Sequence, residues 1–149
     1  MRAVVQRVSH ARVRTAAGIL GEIARGLLAL VSVGVDDDES DARAMAEKLA
    51  GLRIFGDDRG LMNRSLLDTG GALLLVSQFT LHGDVRRGRR PSFLAAAKEP
   101  QALELYRLVG SALEATGVPV AYGEFGAHMD VELVNDGPVT ILLDTKRAF

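Results

Sequence analysis

The sequence predicts a mixed α/β (α+β) fold in a single domain, residues 1–149, with mostly antiparallel, barrel-like β-sheet and two main helices. Three observations predict it. Stretches near both ends alternate apolar and polar residues with the period of a half-buried strand. Two internal stretches carry apolar residues at helical spacing. The resulting order, strands, helix, strand, helix, strands, is that of one mixed domain. A length of 149 residues suits one domain, and 48% hydrophobic with 25% charged residues can build a packed core.

The elements follow in order. Between residues 9 and 14, Ala11 and Val13 alternate with His10, Arg12 and Arg14. Ala16, Ala17 and Gly18 signal a turn, and residues 18–24 return as a hairpin partner. Residues 27–33 form an apolar run of the kind found in a buried central strand. The acidic run from Asp36 to Asp41 then opens a helix, as a solvated start whose charges favour the helix dipole. Its buried stripe is Ala42, Met45, Ala46, Leu49 and Leu52. Residues 56–60 read as a loop and Gly70 with Gly71 as a second break. Residues 72–76 are another buried strand, running straight into Ser77, Gln78, Phe79, Thr80 and Leu81. A second helix spans about Pro100 to Thr116, with Gly117 as its stop and Ala102, Leu105, Tyr106, Val109 and Leu113 as its buried stripe. Alternation resumes with Ala127, Met129, Val131 and Leu133 against His128, Asp130 and Glu132, and residues 139–143 form a last apolar strand.

Composition removes several functions. With no cysteine there is no disulfide framework, zinc–thiolate site, Fe–S cluster or cysteine nucleophile. Three histidines, His10, His82 and His128, leave little for a metal site, and none is expected. No apolar run is long enough to span a membrane, and no signal-peptide h-region follows the first residues, so a soluble cytoplasmic protein is expected.

The net charge of -1 conceals an asymmetry. Only Lys48, Lys98 and Lys146 of the 18 basic residues are lysines, a ratio that codon bias in a GC-rich genome favours. Placement says more. Arg2, Arg7, Arg12 and Arg14 precede any acid, and Arg86, Arg87, Arg89 and Arg90 crowd into one loop. Such a patch either is solvated or tracks phosphates, with steeply salt-dependent binding.

Side-chain catalysis has few candidates. Ser77, Thr80, His82 and Asp84 suggest a hydroxyl–His–Asp relay, but on a continuing strand Ser77 and His82 point to opposite faces. Ordinary polar residues at a strand end are the better reading. No phosphate-binding glycine loop and no metal-ligand spacing is present. Asp130 and Glu132 sit on the polar side of a strand and read as solvated. Residues 136–140, Asp-Gly-Pro-Val-Thr, read either as a tight turn between two strands or as a rigid backbone device built on a cis Gly–Pro bond.

Two motifs converge on one family. Ser77-Gln78-Phe79-Thr80-Leu81 and Asn135-Asp136-Gly137-Pro138-Val139-Thr140 resemble the two signatures of the D-aminoacyl-tRNA deacylases, also called D-tyrosyl-tRNA deacylases. Flanking matches run along the whole chain: Gln6-Arg7-Val8, Gly21-Glu22-Ile23, Arg53-Ile54-Phe55, Met62-Asn63, Arg90-Pro91-Ser92-Phe93, and Phe125-Gly126-Ala127 with Met129. The resemblance implies a cytoplasmic homodimer, without cofactor, that hydrolyses the ester of D-aminoacyl-tRNA and of mischarged glycyl-tRNA. It implies a site near the dimer interface, lined by Ser77, Gln78, Phe79 and Thr80. It implies a chiral filter in which Gly137 and Pro138 reach into the partner's pocket, with Arg7 and Met129 among the substrate-binding residues. Thr80 resembles a residue once favoured as nucleophile, whereas the family mechanism relies on the RNA 2′-hydroxyl and on backbone groups. N–H groups near Phe79 would supply an oxyanion hole. Arg7 is expected to brace the Gly137–Pro138 loop through its carbonyls. Arg86, Arg87, Arg89 and Arg90, together with the first-strand arginines, are the expected tRNA contacts. Two other classes stay open: a non-catalytic RNA-binding module using the arginine loop, and an unrelated hydrolase using Thr80 or Ser77.

Overall fold

The computed structural model describes residues Met1–Phe149. Strand β1 (Arg2–Thr15) is the spine of the sheet. Along one edge it pairs antiparallel with β3 (Gly26–Ser32) and then with β2 (Gly18–Ile23), and along the other with β8 (Asp130–Asp144). Beyond β3 lie β6 (Ala72–Ser77) and β7 (Val120–Tyr122), both parallel, giving the order β2-β1-β3-β6-β7. The sheet curls until β2 meets β7: a Cβ on Gly21 would stand 2.8 Å from the Tyr122 carbonyl oxygen. The barrel-like expectation is met, with a parallel segment among the antiparallel strands.

Both faces of β3 and β6 are covered, which is why their sequences are nearly unbroken apolar runs. Leu27, Ala29, Leu73 and Leu75 face α1 (Glu39–Gly51) and α3 (Gln101–Ala115). Leu28, Leu74 and Val76 face the barrel interior with Val8, Ala11, Val13 and Ile23. Burying each such leucine contributes roughly 1.5–3 kcal/mol. No helix is long and apolar enough to cross a membrane.

The helix expectations hold, with one change at the acidic run. Asp38 caps α1, accepting from the Ser40 and Asp41 N–H groups, and Asp41 returns the bond to the Asp38 N–H. Asp37 and Asp41 are buried rather than solvated. Asp37 accepts from the Gly34 N–H at 2.6 Å, and Asp41 from Lys146 Nζ at 2.6 Å. Two small elements went unread in the sequence. Residues 56–60 turn a short hairpin between β4 (Phe55–Gly56) and β5 (Met62–Arg64). One helical turn, α2 (Leu66–Thr69), is capped by Ser65 and closed by Gly70 at φ 65°.

The largest departure is in β8. Residues 135–138 do not turn the chain between two strands. The strand runs on antiparallel to β1, and the register breaks: Gln6 faces Thr140 while Val8 faces Asn135. Residues 136–139 therefore stand opposite Arg7 alone, as a bulge. The Asp130 and Glu132 side chains stay at the surface, as expected, and each meets an arginine of β1. Glu132 binds Arg12 at 2.6 and 3.0 Å, and Arg14 lies 3.6 Å from Asp130. These are cross-strand pairs set by the β1–β8 register.

Candidate active site

The site begins where two parallel strands stop. The apolar run of β6 ends at Ser77, and Gln78 leaves the sheet while its N–H still donates to the Val31 carbonyl at 2.8 Å. A 3₁₀ turn (Phe79–His82) follows at once, so the strand does not continue through the motif. Its first bond is from the Leu81 N–H to the Gln78 carbonyl, 3.2 Å. The N–H groups of Phe79 and Thr80 precede that bond and have no partner within the turn.

A cavity of about 310 Å³ opens at this point, at the carboxyl ends of β3 and β6. Binding sites of α/β sheets favour that position. Val31, Ser32 and Val33 form one side, and Ser77, Gln78 and Phe79 another. Tyr106 of α3 and the segment Phe125 to Met129 close it. The Tyr106 hydroxyl donates to the Leu75 carbonyl at 2.8 Å, and burial pushes its pKa well up, so it stays a neutral donor. The close approach of Met129 depends on Gly123, where a Cβ would lie 2.8 Å from the Met129 sulfur.

The hydroxyl–His–Asp relay is not assembled. Thr80 is exposed and does not line the cavity, and its Oγ1 accepts from Gln78 Nε2 at 2.6 Å. His82 is buried and meets Ser32 Oγ at 2.6 Å. Asp84 is held at about 2 by two bonds from the Arg86 guanidinium. No group of three or more His, Asp or Glu side chains is gathered to hold a metal ion.

The structure divides the expected site residues into three groups. Ser77, Gln78, Phe79 and Met129 share the cavity. Gly137, Pro138 and Arg7 do not line it within the same chain; Gly137 and Pro138 lie in the bulge and Arg7 stands opposite it. There the Gly137–Pro138 bond is cis, and Gly137 has φ 155°. Arg7 Nε donates to the Asp136 carbonyl at 2.8 Å and Nη1 to the Ile54 carbonyl at 2.6 Å. The Asn135 side chain spans the bulge, accepting from the Val139 N–H at 2.7 Å and donating to its carbonyl at 3.1 Å. The bulge is thus tied by side chains on both flanks while Gly137 and Pro138 stay exposed.

The third group is the arginine loop. Arg86 is bound to Asp84, whereas Arg87, Arg89 and Arg90 are exposed and make no hydrogen bond or ion pair. A bridge between Asp84 and Ser92 closes the loop's base. Phe93 then packs edge-on against Phe79, ring centroids 5.0 Å apart, which brings the loop beside the cavity mouth. The first-strand arginines are committed elsewhere: Arg2 to Asp144, Arg7 to the bulge, Arg12 to Glu132 and Arg14 to Asp130 and Glu132. They do not form the free cationic face expected from the sequence. Sequence reasoning missed Ser32, Tyr106 and Phe125 as cavity residues. The one local signal was Ser32, a hydroxyl interrupting an apolar strand.

A family model described as D-Tyr-tRNA(Tyr) deacylase matches residues 4–144. A D-aminoacyl-tRNA deacylase of Koribacter versatilis is 58% identical over 149 residues, covering 100% of both chains. One of Thermus aquaticus is 54% identical over 145 residues, 97% of this chain and 95% of that one. Among solved structures, the c-Myc DNA unwinding element binding protein matches with a TM-score of 0.92 at 37% identity, covering 97% of this chain and 99% of that one. A probable eukaryotic D-amino acid tRNA deacylase matches in fold, with a TM-score of 0.81 at 18% identity over 95% of this chain and 97% of that one. With a family model matched from residue 4 to residue 144 and relatives more than half identical over the full length, this chain belongs to the D-Tyr-tRNA(Tyr) deacylase family.

Proposed function

We propose that this chain, as one domain over residues 1–149, is a cytoplasmic enzyme that hydrolyses the ester of D-aminoacyl-tRNA and of mischarged glycyl-tRNA. Water adds to the ester carbonyl carbon, the bond to the ribose oxygen breaks, and that oxygen takes up a proton. Free amino acid and tRNA are released. The observation that carries the reading is the turn after β6. It offers two backbone N–H groups without partners in the turn, beside a cavity, and neither Ser77 nor Thr80 is bonded to a histidine or carboxylate. Such donors stabilise the developing oxyanion, each worth about 3 kcal/mol. The 2′-hydroxyl of the RNA assists, and no cofactor or metal is required.

The working unit is a homodimer with its sites near the interface. The exposed Gly137 and Pro138 of one subunit enter the cavity of the other and, with Met129, leave no room for an L side chain. A filter of rigid backbone accepts many D side chains, and glycine passes because it has none. Arg7 braces the filter. Arg87, Arg89 and Arg90 contact tRNA phosphates, with Arg86 beside them.

The test is to incubate the protein with matched D- and L-tyrosyl-tRNA and follow free amino acid. Release from the D ester alone is expected. Equal release from both overturns the filter, and binding without turnover of either points to a non-catalytic RNA-binding module.

A further inference from the structure

Ser32 and His82 are buried to 2% and 8% exposure, come from positions 50 residues apart, and meet at 2.6 Å. Ser32 Oγ also lies 3.3 Å from the carbonyl oxygen of Phe79, and Ser32 lines the cavity. A hydroxyl has one hydrogen, so Ser32 donates either to His82 Nδ1 or to the Phe79 carbonyl. Burial and the nearby Arg2 guanidinium push the His82 pKa down, so the imidazole is neutral at pH 7 and carries its proton on one nitrogen. If that nitrogen is Nδ1, a directed chain forms: Nδ1–H to Ser32 Oγ, and Oγ–H to the Phe79 carbonyl.

The Phe79 carbonyl shares a trans peptide plane with the Thr80 N–H. In a trans peptide the C=O and N–H point in opposite directions. A carbonyl anchored inward on buried Ser32 aims the Thr80 N–H outward, beside the cavity that Phe79 lines rather than into its floor, which Thr80 does not line. We propose that Ser32 and His82 act as one positioning pair, with His82 in the Nδ1–H form, that fixes the Phe79–Thr80 peptide so that the Thr80 N–H meets the reacting ester. This rests on the deacylase function proposed for the chain. Neither residue touches substrate; each acts through the peptide plane.

Two measurements test it. The nitrogen spectrum of the imidazoles in the unaltered protein is expected to show His82 protonated on Nδ1. A proton on Nε2 overturns the proposal, because Ser32 must then donate to His82. In kinetics with D-tyrosyl-tRNA, Ser32→Ala and His82→Ala are each expected to lower kcat about tenfold, with KM within about twofold. The double variant is expected to be no worse than either, and His82→Asn, which keeps a donor near the Nδ1 position, to recover most of kcat. Unchanged kcat in folded Ser32→Ala, a change confined to KM, additive losses, or no recovery with Asn each overturn the pair. If a variant does not fold, the spectrum of the unaltered protein decides. If the unaltered protein cleaves no D-tyrosyl-tRNA, the deacylase reading fails, a result distinct from any of these.

Discussion

A hydroxyl without a base is a poor nucleophile, and Thr80 shows what that means for a single residue. Its Oγ1 is bonded to an amide rather than to an imidazole or carboxylate, and the one nearby histidine in the chain is turned away and buried. Thr80→Ala is therefore expected to keep deacylation within about threefold of the parent, with no acyl-enzyme trapped by acid quench. Complete loss in a folded variant would restore the side-chain mechanism. Much of this was legible beforehand, because a chain without cysteine and with three scattered histidines offers little side-chain chemistry. The Ser32–His82 contact was not legible. A polar residue within a buried strand announces that it needs a partner, but only the fold says which one.

At the level of elements, the sequence is legible wherever burial follows a local pattern: alternation in β1, an unbroken apolar run in β3 and β6, and helical spacing in α3. The local pattern failed at the bulge of β8. Asn-Asp-Gly-Pro has the chemistry of a turn whether the chain reverses or steps out of register, and the choice is made by β1, more than a hundred residues earlier. The acidic run was half right for a similar reason. Asp38 and Asp41 do cap α1, but the C-terminal segment folds back to bury Asp41. Desolvation pushes the Asp41 carboxyl up, yet bonds from Lys146, Thr145 and the Asp38 N–H outweigh it and hold the group at about 2. A carboxyl depressed on folding stabilises the native state above its unfolded pKa, and that contribution is lost as pH falls from about 4 to about 2. Lys146→Ala is accordingly expected to lower the urea midpoint at pH 7 and to narrow the stability difference between pH 7 and pH 2, followed by circular dichroism.

For the molecule as a whole, the net charge of -1 is no bar to a polyanionic substrate. Cation and carboxylate pair along β1 and β8, and three arginines without ion-pair partners, Arg87, Arg89 and Arg90, crowd into the loop beside the cavity. Replacing those three by alanine is expected to raise KM for tRNA. It is also expected to reduce the salt dependence of binding by roughly 0.7–0.9 in logarithmic slope for each phosphate that is no longer neutralised. An unchanged slope would place the RNA on another face. The β1–β8 ladder also has a consequence in time. At about 5–20 residues per second, a ribosome delivers β8 roughly 6–25 seconds after β1. Throughout that interval one edge of β1 has nothing to pair with, and an open edge is a template for neighbouring nascent chains. Arg12 and Arg14 meet their carboxylates only when residues 130–132 emerge. Until then Arg12 has only Glu22 opposite it on β2 and Arg14 has no carboxylate, and positive charge on an unpaired edge opposes edge-to-edge pairing.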